Sequence, residues 1–136
     1  MFSPDGRWVA YQSSASMRNE VYVRRYPLGP EQWQISNAGG ESPLWGPDGK
    51  ELFYATGDTI MRVPIGGGVS LDPGTPAPLF RIPGRHAAPR LSGSVPRPVI
   101  SGITRDKKHF LFRLGTEQRL PSINVVLNWR QALQEQ

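Results

Sequence analysis

A ten-residue phrase occurs twice in this chain, FSPDGRWVAY from Phe2 to Tyr11 and WGPDGKELFY from Trp45 to Tyr54. A worn third form, ITRDKKHFLF, runs from Ile103 to Phe112. Each copy takes an apolar residue into a turn, follows it with a basic residue and continues as an apolar and aromatic run. That is the grammar of a β-hairpin: incoming strand, tight turn, outgoing strand. Pro4 and Pro47 preset φ at the first corner, Asp5 and Asp48 can bond their own backbone further along, and Gly6 and Gly49 accept the positive φ of a tight loop. In the third copy Asp106 keeps the aspartate position, while Arg105 and Lys107 replace proline and glycine. A lysine at positive φ is strained, so a different turn geometry is expected there.

The first two copies begin 43 residues apart and the third follows 58 residues after the second. The first spacing falls in the range of about 40–45 residues that makes one four-stranded blade of a β-propeller. The second exceeds it by about fifteen residues, and the Pro- and Gly-rich stretch from Gly66 to Pro98 is where they are accommodated. Fourteen prolines and fifteen glycines in 136 residues suit many short strands and leave few segments for a long helix. The expected fold is all-β, a partial β-propeller of about two to three antiparallel four-stranded blades, since a closed propeller needs about four to eight.

In residue terms this gives a blade remnant at 1–38, a blade at 39–82 with a loop insertion at 66–78, a linker at 83–98, an incomplete blade at 99–129 and a short helical tail at 130–136. Strands are expected at 7–13, 20–26, 32–35, 42–46, 51–55, 59–64, 77–82, 99–103, 109–114 and 122–129. Met1 falls where an inner strand should end, so the chain is expected to be a fragment of a longer protein. The strand that completes the last blade, and the missing blades themselves, would lie in that longer protein.

Chemistry is sparse. There is no cysteine, which excludes disulfides and thiolate chemistry, and no apolar run approaches the ~18 residues that cross a bilayer. The net charge of +5 is carried by thirteen arginines among sixteen basic residues, but these are scattered and do not interleave with stacking aromatics, which argues against nucleic acid as the partner. His86 lies near Ser92 and Ser94 without an orienting group or a G-x-S-x-G elbow. His109 falls in an alternating strand. Gly66-Gly67-Gly68 lacks the Lys-Ser/Thr of a phosphate loop. Asp5, Asp48 and Asp106 have no acidic neighbours in sequence to complete a calcium shell, and holding the turn is their expected role. No catalytic residue, cofactor or metal is expected. Trp8, Tyr11, Trp45, Phe53 and Tyr54 are expected to pack between blades, while Tyr26 and Trp33, nearer the outer strands, are better placed for exposed contacts. The segment from Gly66 to Pro98 breaks the repeat and is the most basic, so Arg81, Arg85, His86, Arg90 and Arg97 are the candidate partner-binding residues for an acidic protein surface or an anionic ligand.

The phrases FSPDGRWVAY, EVYVRRYP, WQISNAGGESPLWGPDGKELFY and INVVLNW resemble the TolB-like, WD-repeat-related propeller repeats at the C-terminus of many bacterial serine/threonine protein kinases and some bacterial transcriptional regulators. The resemblance covers essentially the whole chain. It implies a non-catalytic module for protein–protein interaction or ligand sensing, extracytoplasmic if attached to a membrane-spanning kinase and otherwise cytoplasmic. None of the kinase motifs is present in the chain itself. The alternative is the propeller of a TolB-like periplasmic protein or of a prolyl-oligopeptidase-type hydrolase. Self-association is a third expectation, because a partial propeller exposes strand edges and unfilled blade faces.

Overall fold

The computed structural model describes residues 1–27, 29–82, 99–114 and 122–126, the last five and Leu114 by their backbone. Three antiparallel sheets follow one another along the chain, and the described residues contain no helix. The first sheet is β1 (Trp8–Ser13), β2 (Glu20–Arg25) and β3 (Gln32–Gln34) in that order. Phe2 bridges to Val9 on the free side of β1, and the Ala10 amide donates to Met1 O at 2.8 Å. The second sheet runs β4 (Glu41–Trp45), β5 (Glu51–Thr56) and β6 (Thr59–Gly66). Beyond β6 come β7 (Asp72–Pro73), on its C-terminal end, and β8 (Ala77–Arg81), on its N-terminal half. The third sheet holds β9 (Val99–Ile103), β10 (Phe110–Leu114) and β11 (Ser122–Val126) with β10 central.

Period-two alternation decides what each sheet faces. On β1 and β2, Trp8, Ala10, Val21 and Val23 point to the second sheet. There they meet Leu52 and Tyr54 of β5, Val63 and Ile65 of β6, Trp45 and Leu71 in one apolar layer. The intervening residues of β5, Phe53 and Ala55, point the other way. With Leu44, Ile60, Leu79 and Phe80 they meet Ile100, Phe110 and Phe112 of the third sheet. The second sheet is therefore buried on both faces, and β5 has five consecutive buried residues, Glu51 to Ala55. The sheets form an open stack and do not close on themselves among the described residues.

Several expectations shift in detail. The insertion at 66–78 is partly built into the sheet: β7 pairs Pro73 with Ile65 and Asp72 with Gly66, and Leu71 is buried in the first apolar layer. Trp33 packs inward, edge-on to Trp8 at 5.4 Å between ring centroids, because it stands opposite Val23 and so shares its inward face. Tyr26 is 49 % exposed. Ser42 has a φ of 52°, and it sits where the register between β4 and β5 slips, beside Pro43, whose missing amide suits such a bulge. The linker 83–98, residues 127–129 of the last expected strand and the tail 130–136 lie outside the described residues.

Phe110 is 1 % exposed, edge-on to Phe53 at 5.1 Å and Phe80 at 5.3 Å, whereas Leu111 beside it faces outward at 36 %. Phe110→Ala is expected to lower stability by about 3–5 kcal/mol in urea unfolding. Leu111→Ala should stay within about 1 kcal/mol of the parent chain. Equal losses at the two positions would contradict the assignment of faces.

Candidate functional site

The three turns carry one set of hydrogen bonds. The Gly6 amide donates to Ser3 O, that of Gly49 to Gly46 O and that of Lys107 to Thr104 O, each at 2.9 Å. Behind them the amides of Ser3, Gly46 and Thr104 donate to Trp8 O, Glu51 O and His109 O at 2.8, 2.8 and 3.0 Å. In every copy the aspartate Oδ1 accepts from the amide two residues on, that of Arg7, Lys50 or Lys108, at 3.1 Å. The Ser3 and Thr104 hydroxyls donate to Asp5 and Asp106 and accept from the amides of Trp8 and His109. Gly46, in the matching place, has no hydroxyl to offer.

The third turn thus keeps the geometry of the first two, contrary to the expectation from its sequence. Lys107 has a φ of 58°, beside 71° at Gly6 and 69° at Gly49. A left-handed conformation costs a side-chain-bearing residue roughly 1–2 kcal/mol. The lysine repays it across the stack: its Nζ lies 2.6 Å from Asp48 Oδ2 and 2.6 Å from Glu51 Oε2. Glu51 is 9 % exposed and also receives Arg62 Nε at 2.5 Å, so two cations compensate one buried carboxylate. The first turn abuts the second as well, because a Cβ built on Gly49 would stand 3.6 Å from Pro4 Cδ. The three turns form a row along one end of the stack.

The charges respond accordingly. The Lys107 ammonium, joined by the Lys50 amide, holds the Asp48 carboxyl below its usual range against the opposing effect of burial. Burial pulls Lys107 down, and its bonds to Asp48 and Glu51 outweigh that and leave it raised. Asp5 is lowered to about 2, first by the Ser3 hydroxyl and then by Arg7.

The remaining candidates are dispersed. Arg81 is exposed on β8 opposite Thr59. Arg85, His86, Arg90 and Arg97 lie outside the described residues. His109 is half-buried, with Nδ1 4.0 Å from Asp106 Oδ1. Gly68 lies against the first turn, its carbonyl accepting from Arg7 Nη1 at 3.4 Å. No group of three or more His, Asp or Glu is placed to hold a metal ion among the described residues, and no helix there is long and apolar enough to cross a membrane, which says nothing of β-barrels.

The chain matches no protein-family model and no curated protein.

Two polar clusters escaped the sequence reading. One is the Lys107–Asp48–Glu51–Arg62 bridge, whose only signal was the glycine-to-lysine change in the third copy. The other surrounds Glu20, 1 % exposed, which accepts from the Ser36 hydroxyl, from the Gly39 amide at 3.0 Å and from Arg18 Nε at 2.8 Å. It ties the connector between the first and second sheets to the start of β2. Gly40 follows, where a Cβ would stand 2.5 Å from Ser36 Oγ, so only glycine fits. Nothing in the spacing of Glu20 and Ser36 announces that contact.

A double-mutant cycle of Asp48→Ala and Lys107→Met is expected to give a coupling of about 0.5–1 kcal/mol at neutral pH and low salt, a modest figure because both side chains are partly exposed and screened. Asp48, depressed in the folded chain, contributes above its usual 3.8, and the contribution disappears as pH falls through its lower folded value. Lys107, raised in the folded chain, contributes below its usual 10.5, and that is lost as pH climbs past its folded value. Urea unfolding across pH should show the coupling between those limits. A cycle that closes to zero at neutral pH would refute the bridge.

Proposed function

We propose that this chain is a β-propeller segment of the TolB-like, WD-repeat-related kind, a non-catalytic module for protein–protein interaction or ligand sensing associated with a bacterial serine/threonine protein kinase. The observation that supports the propeller reading best is the threefold recurrence of one turn, with one hydrogen-bond set, at the head of three antiparallel sheets stacked face to face. A unit that cannot bury both its faces alone, and does so by stacking on its neighbours, is the physical basis of repeat architectures. The binding reading rests on where the departures from the repeat fall. The described sheets devote their inward side chains to packing, and the chain's most basic stretch is the segment that interrupts the period, where a rigid scaffold places its contacts.

An experimental structure of the full gene product is expected to show these sheets set radially about a common axis; a flat, unclosed array would remove the propeller reading. The same reading frame is expected to encode a serine/threonine kinase domain. An α/β-hydrolase domain in its place would transfer the chain to a prolyl-oligopeptidase-type enzyme.

A further inference from the structure

The loop that joins β1 to β2, residues 14–19, stands at the end of the first sheet away from its Pro-Asp-Gly turn. It is fastened on both sides of Met17. The Met17 amide donates to Ser14 O at 3.0 Å and the Ala15 amide to Ser13 Oγ at 3.3 Å. On the other side the Ser16 hydroxyl donates to Arg18 O at 3.2 Å, and the Arg18 guanidinium reaches Asn37 O at 2.6 Å and the buried Glu20 carboxylate at 2.8 Å. Held this way, Met17 takes a φ of 68° and leaves its side chain 97 % exposed. Glycine would meet that φ without strain, and a side chain in water contributes no packing to offset it. Neither the turn nor the core calls for a methionine at this position.

Without cysteine, the chain's sulfur is confined to three thioethers, Met1, Met17 and Met61, and all three lie among the described residues. Their surroundings differ. Met61, on β6 opposite Tyr54, packs against the first apolar layer, and Met1 is 53 % exposed. A thioether is a soft nucleophile toward peroxides, and burial is what protects it. The sulfoxide is polar, so oxidation disrupts a structure where the sulfur packs in a core and leaves it intact where the sulfur already stands in water.

We propose that Met17 is a reversible oxidation site, at which a peroxide converts the tip of the loop from apolar to polar while the fold persists. The Met17 sulfur attacks one oxygen of hydrogen peroxide. The S–O bond forms as the O–O bond breaks, sulfur gives up two electrons, and the departing hydroxide takes the proton from the transferred oxygen and leaves as water. Methionine sulfoxide reductases, which draw on a dithiol, return the thioether.

The three methionines fall in different tryptic peptides, residues 1–7, 8–18 and 51–62. In dilute hydrogen peroxide the folded 136-residue chain is expected to take up its first oxygen in peptide 8–18, several-fold faster than in peptide 51–62 and ahead of peptide 1–7. In concentrated urea the rates should converge, which separates protection by the fold from the chemistry of each peptide. The singly oxidised chain should keep the parent circular dichroism spectrum and urea midpoint, and reductases for the two sulfoxide epimers should restore its mass. Met17→Leu should abolish the fast uptake, and Met61→Leu should leave it in place. First uptake at Met1 or Met61, a preference that survives in urea, or loss of the fold on oxidation of Met17 alone overturns the site. A Met17 sulfoxide that neither reductase removes overturns its reversibility.

Discussion

Burial of the second sheet on both faces is the constraint on which the described structure depends. β5 presents Leu52 and Tyr54 to one neighbour and Phe53 and Ala55 to the other, and all four are at most 3 % exposed. Covering a leucine or phenylalanine contributes about 1.5–3 kcal/mol, so neither neighbour can be removed without exposing half of this central strand. Each outer sheet, by contrast, has one face inside the stack and one outside it among the described residues.

Against that apolar frame the polar contacts act at the joints. The turn row couples adjacent sheets at one end, through Pro4 against Gly49 and through Lys107 against Asp48 and Glu51. At the other connection Glu20, Ser36, Gly39 and Arg18 hold the segment between the first and second sheets, and Thr56 Oγ1 donates to Gly39 O from the second sheet. Buried carboxylates in such positions are tolerated because every one has partners. Their removal would leave unpaired groups and not simply missing bonds. This is scaffold chemistry: Glu20, Asp48 and Glu51 are engaged in holding sheets and their connector together.

Much of the architecture was legible in the residues. Pro-Asp-Gly placed the first two turns, alternation placed the strands, and the 43-residue interval separated two turns of like sequence. The contacts between units were not legible, because they join residues far apart in the chain. Leu71 sits in a segment whose glycines and prolines suggest a loop, yet it is drawn into the first core by two residues of pairing at Asp72 and Pro73. Trp33 was judged by its outer-strand position, but its register opposite Val23 turns it inward.

The sequence by itself determined the local backbone: which residues turn, which extend and which side of a strand is apolar, all set by interactions within a few residues. Only the tertiary structure decided what the third turn would be. Local preference sends a lysine away from positive φ, at a cost of roughly 1–2 kcal/mol. Lys107 adopts it nonetheless because that conformation delivers its ammonium to Asp48 and Glu51, residues fifty-nine and fifty-six positions away in the chain. A local penalty was outweighed by charges that only the stacking of two sheets brings within reach.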